Sequence, residues 1–429
     1  LKGIMEHLVA GILAGGRGVR MKSDRPKVLH DVCGRPVLRH VAEAAAGLGA
    51  DRLRVVTGPD GEPLRRALDG VENVDFVVQP EPLGTGDALR VLLGESDVTG
   101  GLLVLPGDVP LLKAKALRRF LERHRTAGAD LSVLTFEPAE PGMYGRIVRD
   151  SGGAVSAIVE ARDADEEVRR IREVNTGIYL MDADAARRMV NRLSADNDQG
   201  EFYLTDLVEL TRKEGGSVEG VKAGDPGDFL GVNTRADLAE ASRRMRDRIL
   251  GKLMEEGVTV VDPAGTWVEC GVTVGRDTVL HPFTVLRSGV RIGRGCSVGP
   301  FAHLRGDTVL EDGAAVGNFT EVKSSRLGAG ARALHLSYLG DAEVGEGTNV
   351  GAGAITANFD GERKHATVLG KGVRVGSNTV FVAPVKAGDG AVTGAGAVVT
   401  RDVRPGQTVA GVPARPLSGN PAEKGGRDD

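Results

Sequence analysis

The stretch Leu13-Ala-Gly-Gly-Arg-Gly-Val-Arg-Met21 follows an apolar run and packs Gly15, Gly16 and Gly18 close together. Arg17 and Arg20 are interleaved or follow, and Lys22 and Lys27 come soon after. Glycines let backbone N–H groups approach an anion closely, and guanidiniums supply forked donors for phosphate oxygens. The chemistry on offer is phosphate binding. Two familiar phosphate loops fail by spacing. A P-loop needs Gly, four residues, then Gly-Lys-Ser/Thr; Gly11 and Gly16 keep the gap, but Arg17-Gly18 follows. A dinucleotide fingerprint begun at Gly16 and Gly18 meets Met21 where its third glycine belongs. The bland alternative is a strand-to-helix turn with surface arginines.

Other residues suggest chemistry with equally ordinary alternatives. Asp108 in "PGDVP" is a carboxylate at a strand end or merely a turn residue, since Asp favours turns. Asn233 in "GVNTR" is a polar ligand or a helix cap. His335 in "LHLSYLGD" is a base that titrates near neutrality or a structural histidine on a coil surface. Glu160 alone reads as an ordinary surface carboxylate. Cys33, Cys270 and Cys296 lie far apart, form no metal spacing, and suit a reducing cytoplasm.

The elements that must position these residues fall into two styles. Before about residue 235, short apolar strands alternate with helical stretches: "HLVAGILAG", "LRVVTG" and "GLLVLPGD" are strands, and Pro36–Gly49 is a helix with Leu38, Val41, Ala45 and Leu48 on one face. Such alternation implies a Rossmann-like, mostly parallel sheet with helices on both sides and ligands at the C-terminal strand ends. Residues 236–257 read as a linker helix, with Leu238, Ala241, Met245, Ile249 and Leu253 as its apolar stripe.

Beyond the linker the apolar period becomes six. Val274, Leu280, Leu286, Ile292, Val298, Leu304, Leu310, Val316 and Val322 keep it without a slip, and Leu369, Val375, Phe381, Ala387, Thr393 and Val399 resume it. A six-residue apolar repeat with small neighbours predicts a parallel β-helix. The register shifts around Ser324–Leu327 and again at "ANFDGERKH", and such slips are expected to eject loops from the shaft. The fold class is therefore α/β plus all-β: an α/β domain over 1–235, a linker helix over 236–257, a β-helix over 258–418 and a Gly-rich, charged tail over 419–429, expected to be disordered.

Composition is consistent with this division. At 429 residues the chain is too long for one core. A net charge of −4 gives no support for a nucleic-acid or membrane-surface role. No apolar run approaches the ~20 residues that span a bilayer, and the start carries no basic-then-apolar signal segment. Sixty-two glycines with only 3% aromatics suit a large, tightly turned architecture.

Together these residues resemble one family. The opening loop, "PKVLH", "LGTGDA", "GDVPL", "YGRI", "VNTG", "GEFYLTD" and "GVNTR" occur in the order found in bifunctional N-acetylglucosamine-1-phosphate uridyltransferase / glucosamine-1-phosphate N-acetyltransferases. "GNFTEVK", "LHLSYLGD", "NVGAGAITANFDG" and "VGSNT" resemble its second half, a left-handed parallel β-helix. The resemblance covers nearly the whole chain. It implies transfer of UMP from UTP to N-acetylglucosamine 1-phosphate with release of pyrophosphate. Arg20 and Lys27 match the cations of that site, and Asp108 and Asn233 match its Mg2+ ligands. Leu13, Gly15, Gly16, Gln79, Gly84 and Thr85 match nucleotide contacts; Gly145, Glu160 and Asn175 match sugar contacts.

The resemblance further implies acetyl transfer from acetyl-CoA to the amine of glucosamine 1-phosphate. His335 matches the base, with Glu321 expected to orient it through the other ring nitrogen. Arg305, Lys323, Tyr338, Asn349 and Lys364 match the sugar-phosphate set. Ala352, Asn358, Phe359, Ser377 and Ala395 match acetyl-CoA contacts, Asn358 also being suited to position the amine. The implied assembly is a cytoplasmic homotrimer with acetyl sites between subunits, feeding peptidoglycan and lipopolysaccharide precursors, with no nucleic-acid partner and no membrane insertion. The rival reading is a single-activity nucleotidyltransferase whose β-helix is only a scaffold. Several positions depart from the family. Gly15 replaces a common Ala, Pro106 an aromatic and Phe359 a Tyr; "TGPDGE" lacks a His, and "AGVPA" lacks an Arg near Val412. The shaft reads as roughly two coils shorter than is usual by its six-residue arithmetic.

Overall fold

The alternating apolar strands of the first half form a sheet buried on both faces. A computed structural model describes residues 7–16, 18–94 and 98–417. Arg17 and the tail at 419–429 lie outside them. The chain divides into two compact units between Arg244 and Met245. The division falls within the helix Arg235–Glu255, a span close to that of the expected linker.

In the first unit the strands are β1 (Leu8–Leu13), β2 (Arg52–Thr57), β3 (Val74–Val78), β4 (Gly101–Pro106), β5 (Leu131–Phe136), β6 (Arg146–Arg149), β7 (Val155–Val159), β8 (Val174–Asp182) and β9 (Val218–Lys222). The sheet order is β9-β5-β8-β4-β1-β2-β3, with the β6–β7 hairpin attached to β8. Pairings are parallel except around β8, which runs antiparallel to β4 and β5. Alternation along β1 shows why the strand is buried twice. Leu8, Ala10 and Ile12 pack with Leu38, Val41 and Ala45 of the helix Val37–Ala46, while Val9 packs with Leu89 and Leu92 of the helix Thr85–Leu93. Helices thus cover both faces, and the C-terminal ends of β1, β3 and β4 open onto Gly15, Gln79 and Asp108.

The second unit is a left-handed parallel β-helix of short strands stacked in three walls. All fifteen apolar positions of the six-residue period are buried. Successive coils align Leu280, Val298 and Val316 on one wall and Leu286, Leu304 and Val322 on the next. The stacking leaves no room beneath several turns: a Cβ on Gly317 would lie 2.0 Å from the Leu334 carbonyl oxygen.

The register slips differ from expectation. At Ser324–Leu327 no loop is ejected. The corner is one residue short, stepping from Val322 to Leu327, with Ser324 at φ 47°. A second short corner, unmarked in the sequence reading, steps from Leu339 to Val344 through Asp341 at φ 49°. Only the third slip ejects a loop. Asn358–His365 folds back on itself through a Phe359–Lys364 bridge and a 2.8 Å bond from the His365 N–H to the Asn358 carbonyl.

Leu304 is fully buried in the shaft. Leu304→Ala should destabilise this unit by roughly 2–5 kcal/mol. Scanning calorimetry should show that unit's endotherm moving down while the transition of the first unit stays in place.

Candidate active sites

The first unit brings its sequence-predicted residues to one sheet edge through backbone rungs. The Gly107 N–H bonds to the Leu13 carbonyl at 2.9 Å, and the Gln79 N–H to the Thr57 carbonyl at 2.8 Å. Gln79 is buried; its amide donates to Asp87 at 2.8 Å and to the Gly84 carbonyl at 3.2 Å. A methyl on Gly15 would sit 3.1 Å from Gln79 Oε1, so Gly15, Gln79 and Gly84 converge. Gly84 is required: its φ is +112°, and a Cβ there would meet the Phe202 carbonyl at 2.6 Å. Thr85 Oγ1 accepts from the Leu204 N–H at 3.0 Å, so "GEFYLTD" braces this corner. Leu13 ends β1 beside it, and Gly16 faces open space.

Beside this corner lies a four-residue polar cluster. Lys27 Nζ donates to Asp108 Oδ2 at 2.5 Å and to Asn233 Oδ1 at 3.1 Å, and Arg20 donates to the same Asn233 oxygen at 3.0 Å. The Val232 N–H bonds to the Asp108 carbonyl at 2.8 Å, tying "GDVP" to "GVNTR". Asn233 does not cap the helix. Thr234 does: its hydroxyl accepts from the Asp237 N–H at 3.1 Å, while the Asp237 carboxylate accepts from Thr234 at 2.8 Å and Asn233 at 3.0 Å. That reciprocal cap frees the Asn233 side chain for the cluster. One carboxylate and one amide oxygen within reach of a single nitrogen are donors that suit Mg2+, which takes oxygen ligands and keeps water and phosphate. Among the described residues no cluster of three His, Cys, Asp or Glu side chains forms a metal cage.

A second group lies around β8. The Asn175 N–H bonds to the Gly145 carbonyl at 2.9 Å, and a Cβ on Gly145 would be 3.5 Å from both Glu160 carboxylate oxygens. The Asn175 amide is already engaged, donating to Tyr179 Oη at 2.6 Å and accepting from the Gly177 N–H at 2.8 Å. Glu160 is no ordinary surface carboxylate. Burial pushes its carboxyl up, opposed by the Thr205 hydroxyl that donates to it at 3.3 Å. Nearby Asp206 is pushed up to about 6 by burial first, then by Glu209 and Asp163.

In the second unit the expected residues sort to the ends of two adjacent walls. Turn hydrogen bonds lock the first end. The Leu336 N–H bonds to Asn318 at 3.0 Å, the Gly353 N–H to His335 at 3.2 Å, the Asn378 N–H to Ala352 at 2.7 Å and the Gly396 N–H to Ser377 at 2.8 Å, all at carbonyl oxygens. Asn318, His335, Ala352, Ser377 and Ala395 therefore form a file, each about one strand spacing of ~4.8 Å from the next. His335 and Ser377 are exposed on it.

The end of the next wall is cationic. Arg305 and Lys323 are register partners on successive coils, and Lys364 returns from the ejected loop beside Lys323. Lys364 is the first cause that holds Lys323 below the ordinary lysine range, by a hydrogen bond in which one of the two amines is neutral and by like charge, with burial and Arg305 adding and Asp341 opposing. An anion placed beside the pair lets both be ammoniums. Tyr338 and Asn358 lie between the two ends: a Cβ on Gly340 would meet Tyr338 Oη at 2.5 Å and Asn358 Nδ2 at 2.8 Å. Phe359 is exposed on the loop.

Two expectations change. Glu321 is not the partner of His335. It accepts from Arg305 Nε at 2.6 Å, whereas His335 Nδ1 lies 3.0 Å from Asn318 Oδ1. Glu321 sits on the wall of Tyr338, and Asn318 sits one coil below His335 on its own wall. Asn349 is not brought to His335 either; its register partners are Arg332 and Arg374, at the far end of that wall. Sequence reasoning also passed over Asp87, Tyr144, Thr205 and Asp341. Tyr144 accepts from the Gly231 N–H at 3.1 Å, and Asp341 accepts from Asn358. The signal available for Asp87 and Thr205 was their place inside "LGTGDA" and "GEFYLTD".

Comparison with known proteins agrees with the folds of the two units. Residues 10–177 match the MobA-like NTP transferase domain, and residues 271–306 match the bacterial transferase hexapeptide with its six repeats. The chain is 42% identical to the bifunctional protein GlmU of Thermobifida fusca (strain YX), over 95% of this chain and 93% of that one. It is 41% identical to bifunctional protein GlmU of Mycolicibacterium gilvum (strain PYR-GCK), over 98% and 93%. The chain belongs to the bifunctional GlmU family. As a GlmU-family member it is a bifunctional transferase of UDP-N-acetylglucosamine synthesis, with uridyltransferase and acetyltransferase activities. No helix among the described residues is long and apolar enough to cross a membrane.

Asp206 sets a pH test. Its folded pKa, about 6, lies above the ordinary 3.8, so the folded state favours the protonated form. This stabilising contribution is full below about pH 4 and is lost as pH rises through 6. Asp206→Asn should remove that slope and melt above the parent at pH 7, with the difference shrinking toward pH 4.

Proposed function

We propose that the polar cluster at the strand ends of the first unit is the uridyltransferase centre. An oxygen of N-acetylglucosamine 1-phosphate attacks the α-phosphorus of UTP; the new P–O bond forms as the α–β bond breaks, and pyrophosphate leaves. Two polyanions must meet, so positioning and charge dominate the catalysis. Arg20 and Lys27 supply the fixed cations. Gly15, Gly16 and Gly18 let the loop approach phosphate oxygens, and Gln79, Gly84 and Thr85 form the nucleotide corner. Gly145, Glu160 and Asn175 face the sugar. Asp108 and Asn233 would hold Mg2+, which when bound would neutralise and align the reacting phosphates.

The second unit carries the acetyl step. The observation that carries this reading is two adjacent walls, one ending in the histidine file and the next in the Lys323–Lys364 pair. A bare scaffold has no use for two adjacent amines. Lys323, Lys364 and Arg305 take the phosphate of glucosamine 1-phosphate, and Tyr338 and Asn358 take the sugar. His335 accepts the amine proton as nitrogen attacks the thioester carbonyl; the C–N bond forms, the C–S bond breaks, and the CoA thiol leaves. Ala352, Ser377 and Ala395 continue the file along which acetyl-CoA lies.

A homotrimer fits this surface. Phe283, Phe301 and Phe319 stack at 4.8 and 5.2 Å between ring centroids, half-exposed, and with exposed Leu336 they form an apolar stripe leading to His335. Asn349, on the far end of its wall, serves an acetyl site only across a subunit boundary. Three cysteines far apart in the sequence support a reducing, cytoplasmic location.

The test assays purified protein separately for pyrophosphate release from UTP and for free CoA from acetyl-CoA. Both activities are expected; trimers with the first and none of the second would overturn the assignment of the two walls. His335→Ala should lower acetyl transfer by about 10²–10⁴-fold and spare uridyl transfer. Asp108→Ala should do the reverse and abolish the response of uridyl transfer to Mg2+.

A further inference from the structure

We propose that Asn318 is the positioning residue for His335, fixing the ring proton on Nδ1 and leaving Nε2 as the lone-pair nitrogen that receives the amine proton. This rests on the reading of His335 as the base. The carboxylate expected there, Glu321, is committed to Arg305 at 2.6 Å. What faces the ring is Asn318 Oδ1, 3.0 Å from Nδ1. An amide oxygen only accepts, so the nitrogen opposite it carries the hydrogen. Among the described residues Nε2 has no hydrogen-bond partner.

The pair sits on rigid scaffolding. Asn318 and His335 are register partners of adjacent coils, and the Leu336 N–H to Asn318 carbonyl bond sets their separation. A one-ångström drift of either Cα therefore requires breaking a coil-to-coil rung. The choice of an amide has its own consequence. A carboxylate at this distance would favour the imidazolium, which has no lone pair to offer. A neutral acceptor selects the tautomer without that bias. The amide's other face carries NH2, and turned to the ring it would place the hydrogen on Nε2 and silence the base.

The experiment reads the tautomer directly. The full chain has eight histidines; labelled with 15N-histidine, it is examined by NMR above the ring's titration, with the His335 signal assigned by its loss in His335→Gln. A protonated Nδ1 and an unprotonated Nε2 are expected; the reverse tautomer overturns the inference. Asn318→Leu should lower kcat for acetyl transfer by about 10- to 100-fold with KM for glucosamine 1-phosphate unchanged, a loss of the size seen for other histidine-orienting partners. Asn318→Asp, which keeps the accepting oxygen but favours the imidazolium, should restore the Nδ1–H tautomer and most of kcat only at higher pH, its kcat–pH profile lying at higher pH than the parent's. Uridyl transfer and trimer formation serve as the folding control, and if Asn318→Leu fails them, the parent tautomer and Asn318→Asp decide. Loss of acetyl transfer in His335→Gln with full kcat in Asn318→Leu overturns this inference alone. Retained acetyl transfer in His335→Gln overturns the base assignment, and this inference with it.

Discussion

The backbone hydrogen bond from one coil to the next governs the second half of this protein. Each rung fixes the vertical step at the strand spacing and forbids drift, so a residue's place in the coil decides its neighbour one turn away. The file of Asn318, His335, Ala352, Ser377 and Ala395 exists because four such rungs join consecutive turns. No side chain has to hold it together. The interior is equally constrained: each hexapeptide spends one apolar residue inward, and the close approach under Gly317 leaves no space for a methyl group.

The first unit positions its polar groups differently. Parallel strands deliver Gly15, Gln79 and Asp108 to the same edge, and distant segments are then clipped onto them. The Val232 N–H clips the "GVNTR" turn to Asp108, and the Thr234–Asp237 cap starts the long helix without using the Asn233 amide. A helix needs its first N–H groups satisfied. Here Thr234 and Asp237 do that work, and the Asn233 amide oxygen is left to accept from Lys27 and Arg20.

The fold was legible where periodicity speaks for itself. The six-residue period placed fifteen inward residues of the shaft, because one buried position per hexapeptide is what the walls impose, but the short corners hid Leu327, Ala333, Leu339, Val344 and Val350 between the two runs. The strand–helix alternation placed Gly15, Gln79 and Asp108 at strand ends for the same kind of reason. Individual partners were less legible. Glu321 and Asn318 stand three residues apart, and only the coil register decides that the second, not the first, reaches His335. The short corner at Asp341 went unseen because one missing residue within a six-residue repeat, flanked by other small residues, leaves no compositional mark. The burial of Glu160 beside Asp163 and Asp206 arises from residues far apart in the chain, which no local pattern displays.

The two shortened corners bear on how such a shaft changes length over evolutionary time. Below Val322 the coils are interchangeable modules of eighteen residues, and gain or loss of one whole module preserves every wall. The turns from Val322 to Leu339 and from Leu339 to Thr356 are one residue shorter, and the turn from Thr356 to Phe381 is longer by the ejected loop. These odd-sized turns carry Lys323, His335, Tyr338, Asn358 and Lys364. No copy of an ordinary module can replace them without rotating those side chains off their wall. Length variation is therefore channelled into the regular stretch beneath, where the chain can be cut or extended in fixed steps while the odd-sized turns are inherited as a block.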